Sequence, residues 1–137
     1  MNRSVILIIS ALGLSGCLED SPCNDMNFEP IMQTDSIIIS DNMGKEIRTI
    51  TDKTKIREIT NFVRSQNTGW VTPWAGVPVA LVRANFYSGN KFINDFGVGS
   101  NFATFQGCGF WQSRKLSAKD RKMIMSLFAV KDPYANK

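Results

Sequence analysis

Three cysteines are the side chains of this 137-residue chain whose chemistry is easiest to specify: Cys17, Cys23 and Cys108. A thiolate can form a thioether with a lipid or a disulfide with a second cysteine. The chain contains no histidine, which excludes a histidine general base, a Ser-His or Cys-His nucleophile pair and an imidazole metal site. Modification and cross-linking of the cysteines are therefore expected in preference to catalysis.

Carboxylates are the other candidates for acid–base chemistry. Two of them can form a glycosidase site without any set spacing in the sequence. The acidic residues after residue 60 are Asp95, Asp120 and Asp132, and Asp120 occupies a predicted helix cap. No phosphate-binding loop, cysteine-rich zinc spacing or calcium loop is present in the sequence. We therefore expect no enzyme and no cofactor, and a small hydrolase is the least favoured function.

The first sixteen residues have the composition of an export signal. Arg3 precedes an apolar run from Val5 to Leu14. A membrane-spanning helix needs roughly 20 apolar residues, whereas a short apolar run behind a basic residue is typical of a secretory signal peptide. Residues 1–16 are therefore predicted to be a signal peptide and are left out of the fold.

The motif that ends this segment is more specific. Leu14-Ser15-Gly16-Cys17 resembles the lipobox of bacterial lipoproteins, in which an aliphatic residue and two small residues precede a cysteine. The resemblance implies that the Cys17 thiol carries a diacylglycerol, that the chain is cut before Cys17, and that the new amine receives a further acyl chain such as palmitate. The alternative is a Cys17 that is buried or disulfide-bonded after an ordinary signal peptide.

The resemblance also bears on location. In this family an aspartate after the cysteine retains the protein in the inner membrane of Gram-negative cells, and here the residue is Leu18. The resemblance therefore implies an outer-membrane lipoprotein that faces the periplasm, if the source is Gram-negative. Nucleic acid is not an expected partner there.

The other two cysteines form a candidate disulfide. An oxidising compartment favours disulfides, and Cys23 with Cys108 is the internal pair left once Cys17 carries lipid. Residues 17–34 are acidic, contain two prolines and show no hydrophobic period, so they are predicted to form a tether. A bond at Cys23 would shorten its mobile part to a handful of residues. The alternative is a pair of free thiols, with Cys23 mobile in the tether.

Residues 35–137 are predicted to form one small domain that begins with a hairpin and a helix. Residues 36–40 and 45–50 flank Asp41-Asn-Met-Gly44, a pattern typical of a hairpin with glycine at positive φ. Thr51 or Asp52 can cap the helix that follows. Its apolar stripe has the helical period and consists of Ile56, Ile59, Phe62 and Val63.

The second half is rich in strands separated by tight turns. The candidate strands are 79–87, 91–98, 102–106 and 110–114, and turns this short predict an antiparallel meander. Alternation in the first of these strands predicts that Ala80, Val82, Ala84 and Phe86 share one face of the strand.

A final helix completes the predicted domain. Ser117 can cap its start, and Asp132-Pro133 ends it. Its predicted buried stripe consists of Met123, Ile124, Leu127 and Phe128. The predicted class is α+β: an antiparallel sheet, made of the N-terminal hairpin and a three- or four-stranded meander, with two helices packed on one face.

Charge is divided unevenly along the mature chain. Residues 17–60 contain 5 basic and 9 acidic residues, whereas residues 61–137 contain 10 basic and 3 acidic residues. The densest cluster comprises Arg114, Lys115, Lys119, Arg121 and Lys122. Such a cluster suits anionic lipid head groups or an acidic partner. The alternative is a solvated helix face that the acidic half partly complements.

Residues 70–78, with the sequence WVTPWAGVP, are predicted to be an irregular loop. Trp70 and Trp74 on this proline-stiffened loop are candidate contacts for a partner, because aromatic side chains bring a large area at low entropic cost. The alternative is that both rings fold back over the sheet.

Together these patterns predict a lipid-anchored envelope protein that binds another envelope protein without catalysis, as an inhibitor or an immunity factor does. The candidate partner-binding residues are Trp70, Trp74, Arg114, Lys115, Lys119, Arg121 and Lys122. The alternative function is a structural envelope component whose basic helix contacts anionic lipid or cell-wall polymer.

Overall fold

The computed structural model describes residues 19–136, which form an α+β domain around one antiparallel sheet. The strands are β1 (Ser21–Pro22), β2 (Ser36–Asp41), β3 (Glu46–Ile50), β4 (Val71–Thr72), β5 (Val82–Ser88), β6 (Lys91–Val98), β7 (Phe102–Gly107) and β8 (Phe110–Lys115). The helices are a 3-10 helix (Glu29–Gln33), α1 (Lys53–Ser65) and α2 (Ala118–Leu127). The strand order is β1-β4-β8-β7-β6-β5-β2-β3. The predicted class and single domain are confirmed, and the sheet is larger than predicted.

The N-terminal hairpin forms as predicted. Asp41 Oδ1 accepts hydrogen bonds from the backbone N–H groups of Met43 and Lys45, both at 2.9 Å, and Gly44 has a φ of 82°. The other edge of β2 pairs with β5 in a register that runs from Ser36–Tyr87 to Asp41–Val82. The hairpin and the meander are therefore one continuous sheet.

Helix α1 also matches its sequence pattern. The Asp52 side chain caps it by accepting a hydrogen bond from the Lys55 backbone N–H at 2.8 Å. The predicted stripe is buried against the sheet, and its members are Ile56, Ile59, Phe62 and Val63.

The meander has four strands, β5 to β8, and one face of it forms the core. Val82, Ala84 and Phe86 are buried there. Ala80 is buried as well, but it lies on the opposite face of the sheet, so the prediction of a shared face is wrong for Ala80. A Cβ built on Gly97 would lie 2.8 Å from the Ala80 Cβ, and Gly97 pairs with Arg83, whose side chain lies opposite the core. The strand begins only at Val82, because the preceding segment crosses the outer face of the sheet, which we define by Arg83, Asp95, Thr104 and Trp111.

Helix α2 is capped as predicted but buries a different stripe. Ser117 Oγ accepts from the Asp120 backbone N–H at 3.0 Å. Ile124 and Phe128 are buried and Leu127 is half-buried, whereas Met123 is 46 % exposed. The prediction for Met123 is wrong because the inward stripe consists of Arg121, Ile124, Met125 and Phe128, at spacings i, i+3, i+4 and i+7.

The segment predicted to be a tether is folded from Ser21 onward. Ser21–Pro22 pairs with Val71–Thr72, and Phe28 and Ile31 are buried in the core. The centroids of the Phe28 and Phe105 rings are 5.1 Å apart. Contacts with residues far away in the sequence hold this segment, so local periodicity could not reveal it. The same contacts give the predicted irregular loop 70–78 a short strand, Val71–Thr72.

Candidate binding surface

The cluster of five basic residues is divided between the surface and the interior. Lys115, Lys119 and Lys122 are exposed, whereas Arg121 is buried and Arg114 is half-buried. Arg121 donates to Asp132 Oδ2 and to the backbone oxygens of Ser100 and Tyr134. The expectation of one basic patch is therefore wrong for Arg121, because its position on the inward stripe of α2 makes it a buried cross-link.

Arg114 points toward the core side of the sheet. Its guanidinium carbon lies 5.9 Å from the centroid of the Trp70 ring, and its Nη1 donates to Gln66 Oε1. Burial lowers the pKa of Arg114, while the charge of Asp120 acts in the opposite direction. Arg114 thus packs against Trp70 and contacts Gln66 at the end of α1.

The two tryptophans of the loop have opposite environments. Trp70 is 2 % exposed, packs against the rings of Phe28, Phe96 and Phe105, and donates through Nε1 to the backbone oxygen of Gln66. Its predicted role in partner binding is therefore wrong, because the ring is a core residue. Trp74 is 59 % exposed and remains a candidate contact.

The outer face carries an ion pair in which the Asp95 side chain is buried and the Arg83 side chain is partly exposed. Arg83 Nη1 donates to Asp95 Oδ2 at 2.8 Å, and its guanidinium carbon lies 5.2 Å from the Trp111 ring centroid. Burial raises the pKa of the Asp95 carboxyl, and Arg83 only partly offsets this effect. Asp95 Oδ1 and Thr104 Oγ1 are buried without a hydrogen-bond partner among the described residues. The pair orients Arg83 beneath Trp111 and leaves one carboxylate oxygen unsatisfied.

An exposed aromatic site lies where two hairpins end. Because consecutive strands of the meander are antiparallel, the β5–β6 and β7–β8 turns lie at the same end of the sheet. Phe110 is 72 % exposed and Phe92 is 44 % exposed there. A cavity of about 450 Å³ beside Phe110 is lined also by Asn94, Gln106, Gly107, Gly109 and Trp111. We call Phe110 and Trp111, together with the cavity that they line, the hairpin-end surface.

The hairpin that carries Phe110 is stabilised by a buried side-chain amide and by a disulfide. The Gln112 side-chain amide is buried and donates to the backbone oxygens of Gly107 and Phe110, at 3.0 and 3.3 Å. Cys108 in the turn forms a disulfide with Cys23, with 6.1 Å between the two Cα atoms. The predicted pairing is thus present, and it fixes the turn beside the exposed ring.

The sequence does not single out the hairpin-end surface. Eight of the fourteen aromatic residues fall between Phe86 and Trp111, a density that suggests one covered face. Phe86, Phe96 and Phe105 are fully buried, whereas Phe92 and Phe110 are exposed. The available signal is the tight Gly-Cys-Gly turn at 107–109, which exposes the residue that follows it.

The structure bears on the lipid anchor and on catalysis only through the residues that it describes. Cys17, the predicted lipidation site, lies outside them. Within residues 19–136 no helix is long and apolar enough to cross a membrane, and no group of three metal-binding side chains comes together. A cavity of about 690 Å³ lies beside Met125 and Val130.

Comparison with known proteins adds no assignment. No protein-family model, curated protein or solved structure matches this chain.

Proposed function

We propose that the protein is a lipid-anchored lipoprotein of the cell envelope, in the outer membrane if the source is Gram-negative, which binds a protein partner there without catalysis. The lipobox Leu14-Ser15-Gly16-Cys17 carries the anchor. The hairpin-end surface carries the binding function. An inhibitor or an immunity factor acts in this way, by occupying a surface of another protein.

The exposure of Phe110 is the observation that carries the proposal. An aromatic side chain that is 72 % exposed on a cross-linked turn contributes nothing to the core. Its backbone is already ordered by Gln112 and by the disulfide, so contact with a partner costs little conformational entropy. Aromatic residues, phenylalanine among them, are enriched in protein interfaces relative to the rest of the protein surface.

The basic helix supports its alternative less well. A structural component that contacts anionic polymer through α2 needs the five charges on one surface. Arg121 is buried in an ion pair and Arg114 is turned toward Trp70, so three lysines remain. The two late carboxylates, Asp95 and Asp132, are each paired with an arginine, which favours a structural role for both of them.

Site-specific photo-crosslinking tests the partner site. A photoreactive phenylalanine analogue at position 110 should give one discrete cross-linked protein in intact cells. The matched control carries the same analogue at Met43, which is 88 % exposed in the β2–β3 turn at the other end of the sheet. Equal cross-linking from both positions, or none from position 110, would contradict the proposed site.

Mass spectrometry of the mature N-terminus tests the anchor separately. The expected mass is that of a chain that begins at Cys17 and carries a diacylglycerol and one further acyl chain. A mature protein with unmodified Cys17 would contradict the lipid anchor and would leave the crosslinking result at Phe110 standing on its own.

A further inference from the structure

We infer that the loop of residues 73–79 lies in the head-group region of the membrane that holds the lipidated Cys17. This inference rests on the lipid anchor of the proposed function. It assigns Trp74 to the lipid surface and leaves the hairpin-end surface to the protein partner. We call residues 73–79 the anchor-side loop.

The connection between the anchor and this loop is short. Asp20 Oδ1 accepts a hydrogen bond from the Trp74 backbone N–H at 3.1 Å. Successive Cα atoms are 3.8 Å apart, so the Cα atoms of Cys17 and Asp20 can be at most about 11 Å apart. Directly after Asp20 the chain joins the sheet at Ser21–Pro22, and Cys23 is disulfide-bonded. The chain between the lipid anchor and the loop is therefore too short for the loop to move far from the membrane.

The anchor-side loop has the composition of a membrane-interface contact. Trp74 and Val79 are 59 % and 71 % exposed, and Val77 is also exposed. Tryptophan is enriched at membrane–water interfaces, because its ring is largely apolar and carries one N–H group that can remain hydrated. Lipid contact would remove this apolar area from water.

The loop is also held in place on the domain. Thr72 before it belongs to β4, and after it the Leu81 backbone N–H donates to the Val98 oxygen at 2.9 Å. Within it, the Gly76 backbone N–H donates to the Pro73 oxygen at 3.4 Å. Insertion of a loop that is already ordered loses little conformational entropy.

Charge makes a smaller contribution than apolar contact. Asp20 lines a cavity of about 530 Å³ together with Arg114 and Lys115. Lys115 is exposed and can meet lipid phosphates, whereas Arg114 packs against Trp70. Glu19 and Asp20 carry negative charge on the same side of the domain, and they offset the attraction of Lys115 to anionic lipid.

Tryptophan quenching by brominated lipids tests the inference. The chain from Cys17 contains every described residue, and Cys17 is its only cysteine outside the disulfide. Its thiol can be coupled to a maleimide phospholipid in phosphatidylethanolamine–phosphatidylglycerol vesicles whose acyl chains are brominated. Bromine should quench the emission of the unsubstituted chain and of a Trp111→Phe control, and it should quench the Trp74→Phe chain much less.

Each outcome has a defined meaning. A further variant, Val79→Asp, should reduce the quenching, because it places a charge in the loop. Equal quenching of the unsubstituted and Trp74→Phe chains, or none in either, would overturn the inference and would leave Trp74 to a protein partner. Because the lipid is attached chemically, this result is independent of natural lipidation, which the mass of the mature N-terminus reports.

Discussion

Arg121 Nε donates a hydrogen bond to Asp132 Oδ2 at 3.0 Å, and each side chain is less than one-tenth exposed. The same guanidinium donates to the backbone oxygens of Ser100 and Tyr134 and lies 5.5 Å from the Tyr134 ring centroid. Arg121 therefore joins α2 to the turn between β6 and β7 and to the segment that follows α2.

Replacing Arg121 with alanine should destabilise the domain strongly. The substitution leaves the buried Asp132 carboxylate without its cation and two backbone oxygens without a donor, which together cost about 3 kcal/mol in the free energy of unfolding. The exposed neighbour provides the control, since Lys122→Ala should change that free energy by no more than about 0.5 kcal/mol. Urea denaturation measures both values, and equal effects would show that Arg121 does not act as a cross-link.

The two tryptophans of residues 70–78 should separate stability from surface contact. Trp70→Ala removes a core ring and should lower the free energy of unfolding by about 3–5 kcal/mol. Trp74→Ala removes an exposed ring and should change it by about 0.5 kcal/mol or less. Urea denaturation followed by far-ultraviolet circular dichroism avoids dependence on tryptophan emission. Similar losses from both substitutions would contradict the assigned environments.

Local pattern is sufficient to predict most of the fold. The helix caps at Asp52 and Ser117, the hairpin at Asp41 and the four-stranded meander each depend on residues close together in the sequence. The pairing of β2 with β5 is not predictable in this way, because it depends on contacts between the N-terminal hairpin and the meander. The same reason explains the packing of Phe28 and Ile31, which no helical or strand period marks.

Candidate site residues are harder to predict from the sequence than helices and strands are. Arg121 is charged and stands among lysines, so composition places it at the surface. Its burial depends on Asp132 and Ser100, which lie 11 and 21 residues away. Trp70 and Trp74 are four residues apart in one apolar loop, and only the direction of the chain after β4 determines which ring is buried. Cys23 and Cys108 are predictable as a pair, because they are the two cysteines that remain once Cys17 is assigned to lipid.

The disulfide should contribute substantially to stability. It joins residues that are 85 positions apart, and loop-closure entropy for a loop of this size corresponds to about 4.5 kcal/mol. In a chain with Cys17→Ser, the further pair Cys23→Ala and Cys108→Ala should lower the free energy of unfolding by that amount. A reductant should lower the stability of the parent chain and should leave the double variant unchanged. Coincident urea midpoints for the oxidised and double-variant chains would contradict the prediction.

Asp95 and Asp132 should give opposite responses to pH. Burial raises the pKa of Asp95 in the folded state, so its contribution to stability is present below its ordinary pKa and is lost as the pH rises through the raised value. Burial also raises the pKa of Asp132, but the Tyr134 backbone N–H and Arg121 outweigh this effect and lower the pKa overall. The contribution of Asp132 to stability is therefore lost as the pH falls through the lowered value.

Urea titrations from about pH 3 to about pH 7 can compare Asp95→Asn and Asp132→Asn with the unsubstituted chain. Asp95→Asn should gain stability relative to that chain as the pH rises, and the deficit of Asp132→Asn should shrink as the pH falls. A deficit that grows with acid for Asp132→Asn, or a relative loss with rising pH for Asp95→Asn, would contradict these assignments.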